Sequence, residues 1–195
     1  MKNLVLFIIM LTGIVCYLKN RDKNIQKEKD YSEYLLTKDN YREQTIFICG
    51  LGKYSQLDLE IASKEITKKF GFKCKIIEPK KTYSKLYDIN GEIDFETFEN
   101  SFKCRSKIVY ITNEYISIPK NGGRHGVSGV TSLNGNCILV CNRYKDLKIT
   151  VLHEVAHTLG LRHCKNKCIM VYCNENKGDK TLDFCDKCKL KLNLK

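Results

Sequence analysis

The sequence predicts an α/β (α+β) fold on three observations. A β-branched apolar run, an amphipathic helix and a second alternating run succeed one another between Thr45 and Ile77. A further buried strand is written at Lys107–Thr112, and a second amphipathic helix at Asp146–Gly160. Strand, helix, strand in succession calls for a parallel pair joined by a right-handed crossover. With 195 residues, 43% of them hydrophobic and 29% charged, the chain has material for one ordinary domain and a targeting segment.

Residues 1–18 contain the apolar run LVLFIIMLTGIVCYL, Leu4 to Leu18, preceded by Lys2. It is long for a signal-peptide core and slightly short for a membrane span, so it is expected to place the chain at a membrane or to direct its export on cleavage. Lys19, Arg21 and Lys23 follow at once, which weakens the export reading, leaves room for an anchor whose body faces the cytoplasm, and leaves the orientation open. Residues 19–44 are charged and polar and read as a tether, so the folded domain is expected over 45–195.

TIFICGLG (Thr45–Gly52) reads as a buried strand stopped by glycines. Ser55, with Asp58 three residues on, forms a capping-box signal. Leu59, Ala62, Ile66 and Phe70 then put one apolar stripe on a helix that Gly71 can end. FKCKII alternates as a second strand, a short helix is expected near Asp94–Phe102, and KIVYIT (Lys107–Thr112) is a third strand. The glycine-rich stretch from Asn121 to Val140 reads as a loop, an edge strand, an Asn134-Gly135 turn and a returning strand.

The formal charge of +12 raises the question of nucleic acid. Only Arg21, Arg42, Arg105, Arg124, Arg143 and Arg162 are arginines, and the lysines are scattered rather than gathered in a stripe. Scattered charge supplies weak non-specific attraction, so no specific nucleic-acid partner is expected. The eleven cysteines are an odd number in a chain too long for a disulfide framework. Cys49, Cys74, Cys104, Cys137 and Cys141 sit singly among apolar residues and read as small buried hydrophobes.

The chemistry concentrates in HEVAHTLGLRHCKNKCIM, His153 to Met170. Ile149, Leu152, Ala156 and Leu159 mark one apolar helical face, and His153 and His157 lie one turn apart on a neighbouring face, so both imidazoles can aim at one point. Gly160 can end the helix in the left-handed conformation and turn the chain back, which lets His163 become a third ligand. Three neutral imidazoles leave the fourth tetrahedral position to water, the arrangement of a catalytic zinc site. Zinc lowers the pKa of such a water toward ~7, and Glu154 is placed to take its proton as general base. The implied reaction is peptide-bond hydrolysis. Behind the histidines, Cys164 and Cys168 with Cys185 and Cys188 fall within the spacing of a closed structural zinc site, with free or disulfide-linked thiols as the other reading and Cys173 as a spare.

His153, Glu154, His157, Gly160 and His163, followed by Cys164, Cys168, Met170, Cys185 and Cys188, resemble the signature of the archaemetzincins, a branch of the metzincin metallopeptidases. The opening strand, helix and strand resemble the start of that family's domain, so the resemblance spans 45–195. It implies a metzincin-like mixed twisted sheet with a backing helix and an active-site helix, followed by a small zinc-stapled C-terminal subdomain. It also implies catalytic zinc on His153, His157 and His163 with Glu154 as base, a second Zn2+ on the four cysteines, and Met170 as the Met-turn residue beneath the catalytic metal. Gly126–Thr131 resembles the edge strand that metzincins offer to extended peptides. The family usually has four residues between its first two zinc cysteines, whereas Lys165, Asn166 and Lys167 stand here, and the gap from Met170 to Cys185 is also shorter. Tyr172 stands where some other metzincins place a tyrosine that can approach the zinc, and reads otherwise as a half-buried aromatic. His125 reads as an exposed loop histidine or as cleft lining.

The expected function is therefore a zinc-dependent metallopeptidase, a monomer acting on a peptide or protein substrate and held to a membrane through residues 4–18. The alternative is a membrane-tethered zinc-binding interaction module of the same fold without productive turnover. The intact Glu154 speaks against it, since binding alone needs no base.

Overall fold

β-branched residues fill the first described segment, and they form strand β1 (Thr45–Gly50), whose Ile46 and Ile48 point into the main core. The computed structural model describes residues 45–78, 84–102, 107–120, 123–132, 135–143, 146–171 and 183–194. The apolar run 4–18, the tether 19–44, Cys104, Asn134, Tyr172 and Cys173 lie outside them. Among the described residues no helix is long and apolar enough to cross a membrane.

Helix α1 (Gln56–Phe70) buries the expected stripe of Leu59, Ala62, Ile66 and Phe70, and Gly71 ends it at φ 75° with its N–H on the Thr67 carbonyl. The capping box does not form. Ser55 sits at the N-cap with extended backbone, but the Asp58 N–H that its hydroxyl would take is bonded to the Ser55 carbonyl instead, at 3.1 Å. Strand β2 (Lys73–Ile77) returns parallel to β1, as the strand-helix-strand pattern requires.

A short 3-10 turn (Ser84–Leu86) leads to β3 (Ile93–Asp94) and helix α2 (Phe95–Ser101), which Asp94 caps by accepting the Thr97 N–H at 2.7 Å. Strand β4 (Ile108–Thr112) lies parallel to β1 on its other side. The glycine-rich stretch is more structured than the sequence suggests. Strands β5 (Ile116–Lys120) and β6 (Gly123–Val127) form an antiparallel hairpin, and β3 joins β5 in a separate three-stranded sheet. Pro119 obscures this strand in the sequence, yet β3 pairs only Ile116 and Ser117, so the proline falls beyond that ladder. Strand β7 (Gly129–Thr131) then runs antiparallel to β8 (Cys137–Cys141), with Gly135 left-handed at φ 67° in the connection.

The main sheet has the order β2-β1-β4-β8-β7, parallel except for β7 at its edge. Both faces of its central strands are buried, as parallel strands require. On one face Val109, Ile111, Ile138 and Val140 pack with α1 and with helix α3 (Leu147–Thr158). On the other, Cys49, Cys137 and Cys141 join Leu139, Tyr110 and the Phe95, Phe98 and Phe102 cluster, so these cysteines are the small buried hydrophobes expected. Cys74 is half-buried. Helix α4 (Asp186–Leu192) closes the described chain. Phe184 before it packs on Phe70 at 5.9 Å between ring centroids, while Asp183 is ion-paired with Lys69 and Lys189.

Phe98 is fully buried, with its ring centroid within 6.0 Å of those of Phe95, Phe102 and Tyr110. Phe98→Ala should lower the unfolding free energy in denaturant by about 3–5 kcal/mol, whereas Ile89→Ala at a fully exposed turn should leave the midpoint unchanged.

Candidate active site

Helix α3 carries two of the three histidines and the glutamate. It is buried on nearly every side, wider than the predicted stripe: Leu147, Val151 and Val155 join Ile149, Leu152 and Ala156, and Leu159 is half-buried. Gly160 takes φ 86°. Its N–H reaches the His157 carbonyl at 3.0 Å and the Leu161 N–H reaches the Ala156 carbonyl at 3.0 Å, the paired bonds of a Schellman turn. The turn sends the chain back over the helix end and brings His163 beside the other two. The Nε2 atoms of His153 and His157 are 3.0 Å apart, and those of His153 and His163 are 3.3 Å apart.

Two carbonyls decide which nitrogens face inward. His153 Nδ1 lies 2.8 Å from the Ile169 carbonyl oxygen, and His157 Nδ1 lies 2.7 Å from that of Leu161. A carbonyl can only accept, so each Nδ1 carries the proton and each Nε2 presents a lone pair. Lone pairs at this separation repel one another unless a cation or a proton lies between them. Nitrogens each ~2.0–2.1 Å from a tetrahedral zinc would stand about 3.3 Å apart, close to what is found. Burial also lowers the pKa of His157, against the pull of the Leu161 carbonyl, so the metal-competent neutral imidazole is favoured. The residues fit a zinc ion.

Glu154 faces the edge strand. It is 6% exposed, and the Thr131 hydroxyl donates to its Oε2 at 2.7 Å. Burial pushes its carboxyl up to about 7, against the Thr131 hydrogen bond, which pulls it down. A group in that range can take and return a proton near neutral pH. Helix and strand approach so closely here that a Cβ on Gly129 would stand 2.8 Å from Glu154 Cγ and from Thr150 Cγ2. The sequence marks Gly126–Thr131 only as an edge strand for substrate and gives no sign that Gly129 and Thr131 meet Glu154. Their role is visible only once β7 is known to pair with β8, which turns both residues toward α3.

Cys164, Cys168, Cys185 and Cys188 bring their sulfurs within 4.8 Å of one another, so the short Lys165–Lys167 spacer does not prevent convergence. Burial opposes ionisation of Cys185, yet hydrogen bonds from the Asn166 amide and the Cys188 backbone bring its thiol down to about 6. Burial raises Cys168 and Cys188, the latter strongly. Four converging thiolates repel, and a tetrahedral dication removes that conflict. Met170 is fully buried and follows Cys168 by two residues, inside the span of the cysteine cluster. Its carbonyl takes the Cys164 N–H at 2.8 Å, and its neighbour Ile169 supplies the carbonyl that holds His153.

The predicted edge strand at Gly126–Thr131 divides in the structure. Gly126 and Val127 end β6, while Gly129–Thr131 form the edge of the main sheet beside α3. His125 is exposed on β6, in the three-stranded sheet. Tyr172 lies outside the described residues.

Comparison with known proteins gives a consistent picture. Residues 38–194 match the model of Peptidase family M54. A curated archaemetzincin from Archaeoglobus fulgidus is 40% identical over 43 residues, 21% of this chain and 27% of that protein, so the aligned part spans about a quarter of the relative's length. Among solved structures, the archaemetzincin of Archaeoglobus fulgidus in complex with malonate has a TM-score of 0.63 at 20% identity, covering 76% of this chain and 99% of that one. The archaemetzincin of Methanopyrus kandleri gives 0.62 at 16% identity, with 78% and 94% covered. A zinc-dependent peptidase from Methanocorpusculum labreanum gives 0.55 at 21%, with 76% and 99% covered. At these identities the structures speak for the fold, and the family match covers most of the sequence: the chain belongs to peptidase family M54, the archaemetzincins.

Proposed function

We propose that the chain is a zinc-dependent metallopeptidase in which His153, His157 and His163 hold the catalytic zinc, Glu154 is the general base, and Cys164, Cys168, Cys185 and Cys188 hold a structural zinc. The observation that carries this reading is the convergence of the imidazole Nε2 atoms, two of them with Nδ1 on a carbonyl, next to a buried carboxylate. When bound, zinc supplies a Lewis acid that makes water a nucleophile near neutral pH and polarises a carbonyl. Glu154 takes the proton of the attacking water and delivers it to the nitrogen of the breaking amide, so the amine leaves neutral. The substrate is a peptide or protein segment laid along β7, whose outer edge has no partner strand among the described residues. Met170 serves as the Met-turn residue. Residues 45–195 form the catalytic domain, and residues 4–18 hold it at a membrane, a reading supported by the apolar run and its flanking cations.

Glu154→Gln in the zinc-loaded full chain should reduce cleavage of a peptide library by ~10²–10⁴-fold with zinc content unchanged. Undiminished cleavage would sink the mechanism. A folded, zinc-loaded wild type that cleaves nothing would favour the tethered interaction module instead.

Metal analysis should return about two zinc ions per chain, and about one for either His157→Ala or Cys188→Ser. The cysteine variant alone should melt markedly earlier, by ~5 °C or more, because its metal closes a structural site. A stoichiometry that stays at one in the wild type would refute the second zinc.

On fractionation of expressing cells, the full chain should sediment with membranes and a chain lacking residues 1–18 should not. Equal partition of the two would remove the membrane from the reading.

A further inference from the structure

We infer that Thr131 is a positioning residue for Glu154, its hydroxyl fixing one carboxylate oxygen so that the other is left for the proton in flight. The inference rests on the peptidase reading above and adds to it a group that sequence spacing does not reveal.

Thr131 Oγ1 stands 2.7 Å from Glu154 Oε2 and 3.1 Å from the Glu154 carbonyl oxygen. The hydroxyl has one proton, and the shorter, charged acceptor takes it. Gly129, two residues earlier on the same face of β7, bounds the other oxygen: a Cβ there would lie 2.9 Å from Oε1. One strand thus holds Oε2 by a bond and leaves room for Oε1 where Gly129 has no side chain. A glutamate left to itself samples many rotamers, and ordering it costs conformational entropy. The strand supplies that order before substrate arrives. The hydroxyl can go on donating to Oε2 while Oε1 gains and loses the proton, because the carbonyl oxygen of the acid still accepts.

The full zinc-loaded chain, Thr131→Val and Thr131→Ser decide the matter on a peptide that the wild type cleaves. Thr131→Val should lower kcat by on the order of ten- to a hundredfold with KM within about twofold, and Thr131→Ser should recover most of the loss. A double-mutant cycle in denaturant with Glu154→Ala supplies a readout independent of turnover: the effects of Thr131→Val and Glu154→Ala on unfolding should be strongly non-additive. Additive unfolding effects would overturn the inference, as would unchanged kcat in Thr131→Val or a serine variant no better than valine. A wild type without turnover would retire the peptidase reading, and the unfolding cycle would still accept or reject the hold on Glu154.

Discussion

Three imidazoles converging on one point, two of them with the lone pair turned inward, is the constraint on which the rest of this structure depends. Left to themselves the His153 and His157 rings would rotate apart, because nitrogens 3.0 Å apart with lone pairs facing inward repel. Two things prevent it. The helix spacing of His153 and His157 sets their bases one turn apart, and main-chain carbonyls set their tautomers. The Leu161 carbonyl reaches His157 only because Gly160 reverses the chain, so the glycine that delivers His163 also fixes His157.

The second clamp, on His153, ties the site to the cysteine cluster. Ile169 uses its carbonyl on His153 and its N–H on the Asp183 carbonyl, at 3.1 Å. Its neighbours Cys168 and Met170 are respectively a sulfur of the cluster and the acceptor for the Cys164 N–H. Asp183 in turn is held to α1 by Lys69 and to α4 by Lys189, and these two lysines hold its carboxyl down at about 2 against the effect of its burial. The four-cysteine knot is therefore mechanically continuous with a histidine of the other centre. A closed metal site is suited to this task because it can fix a short loop without a large apolar core behind it.

Much of this was legible in the sequence because it is periodic or chemically marked. The α1 stripe, the parallel β1 and β2, the helix near Asp94 and the His and Cys sets all follow from spacing. What escaped is what depends on partners distant in sequence. Ser55 lost its capping role because its own carbonyl took the N–H at Asp58. The hairpin of β5 and β6 hid behind Pro119 and a run of glycines. Ile169 and Leu161 act through carbonyls, which every residue possesses, so no residue type announces them. Lys107, read as part of a strand, places its buried Nζ 3.4 Å from the Thr158 carbonyl at the end of α3, where a cation offsets the helix dipole.

The reversal of the edge strand β7 explains how so small an element can reach Glu154. A parallel neighbour of β8 would require a crossover of a dozen or more residues, commonly a helix laid across the sheet. An antiparallel neighbour needs only the short connection through Gly135, so three residues suffice for β7 and the face beside it stays free for α3. With period 2, Gly129 and Thr131 then face the helix while Val130 packs into the opposite core. Glycine permits the approach and threonine fills the next position with a donor. The strand thereby has one edge anchored on β8 and one side chain on Glu154. Any peptide that paired with its outer edge would stiffen the same three residues, so substrate binding and base alignment would draw on one element.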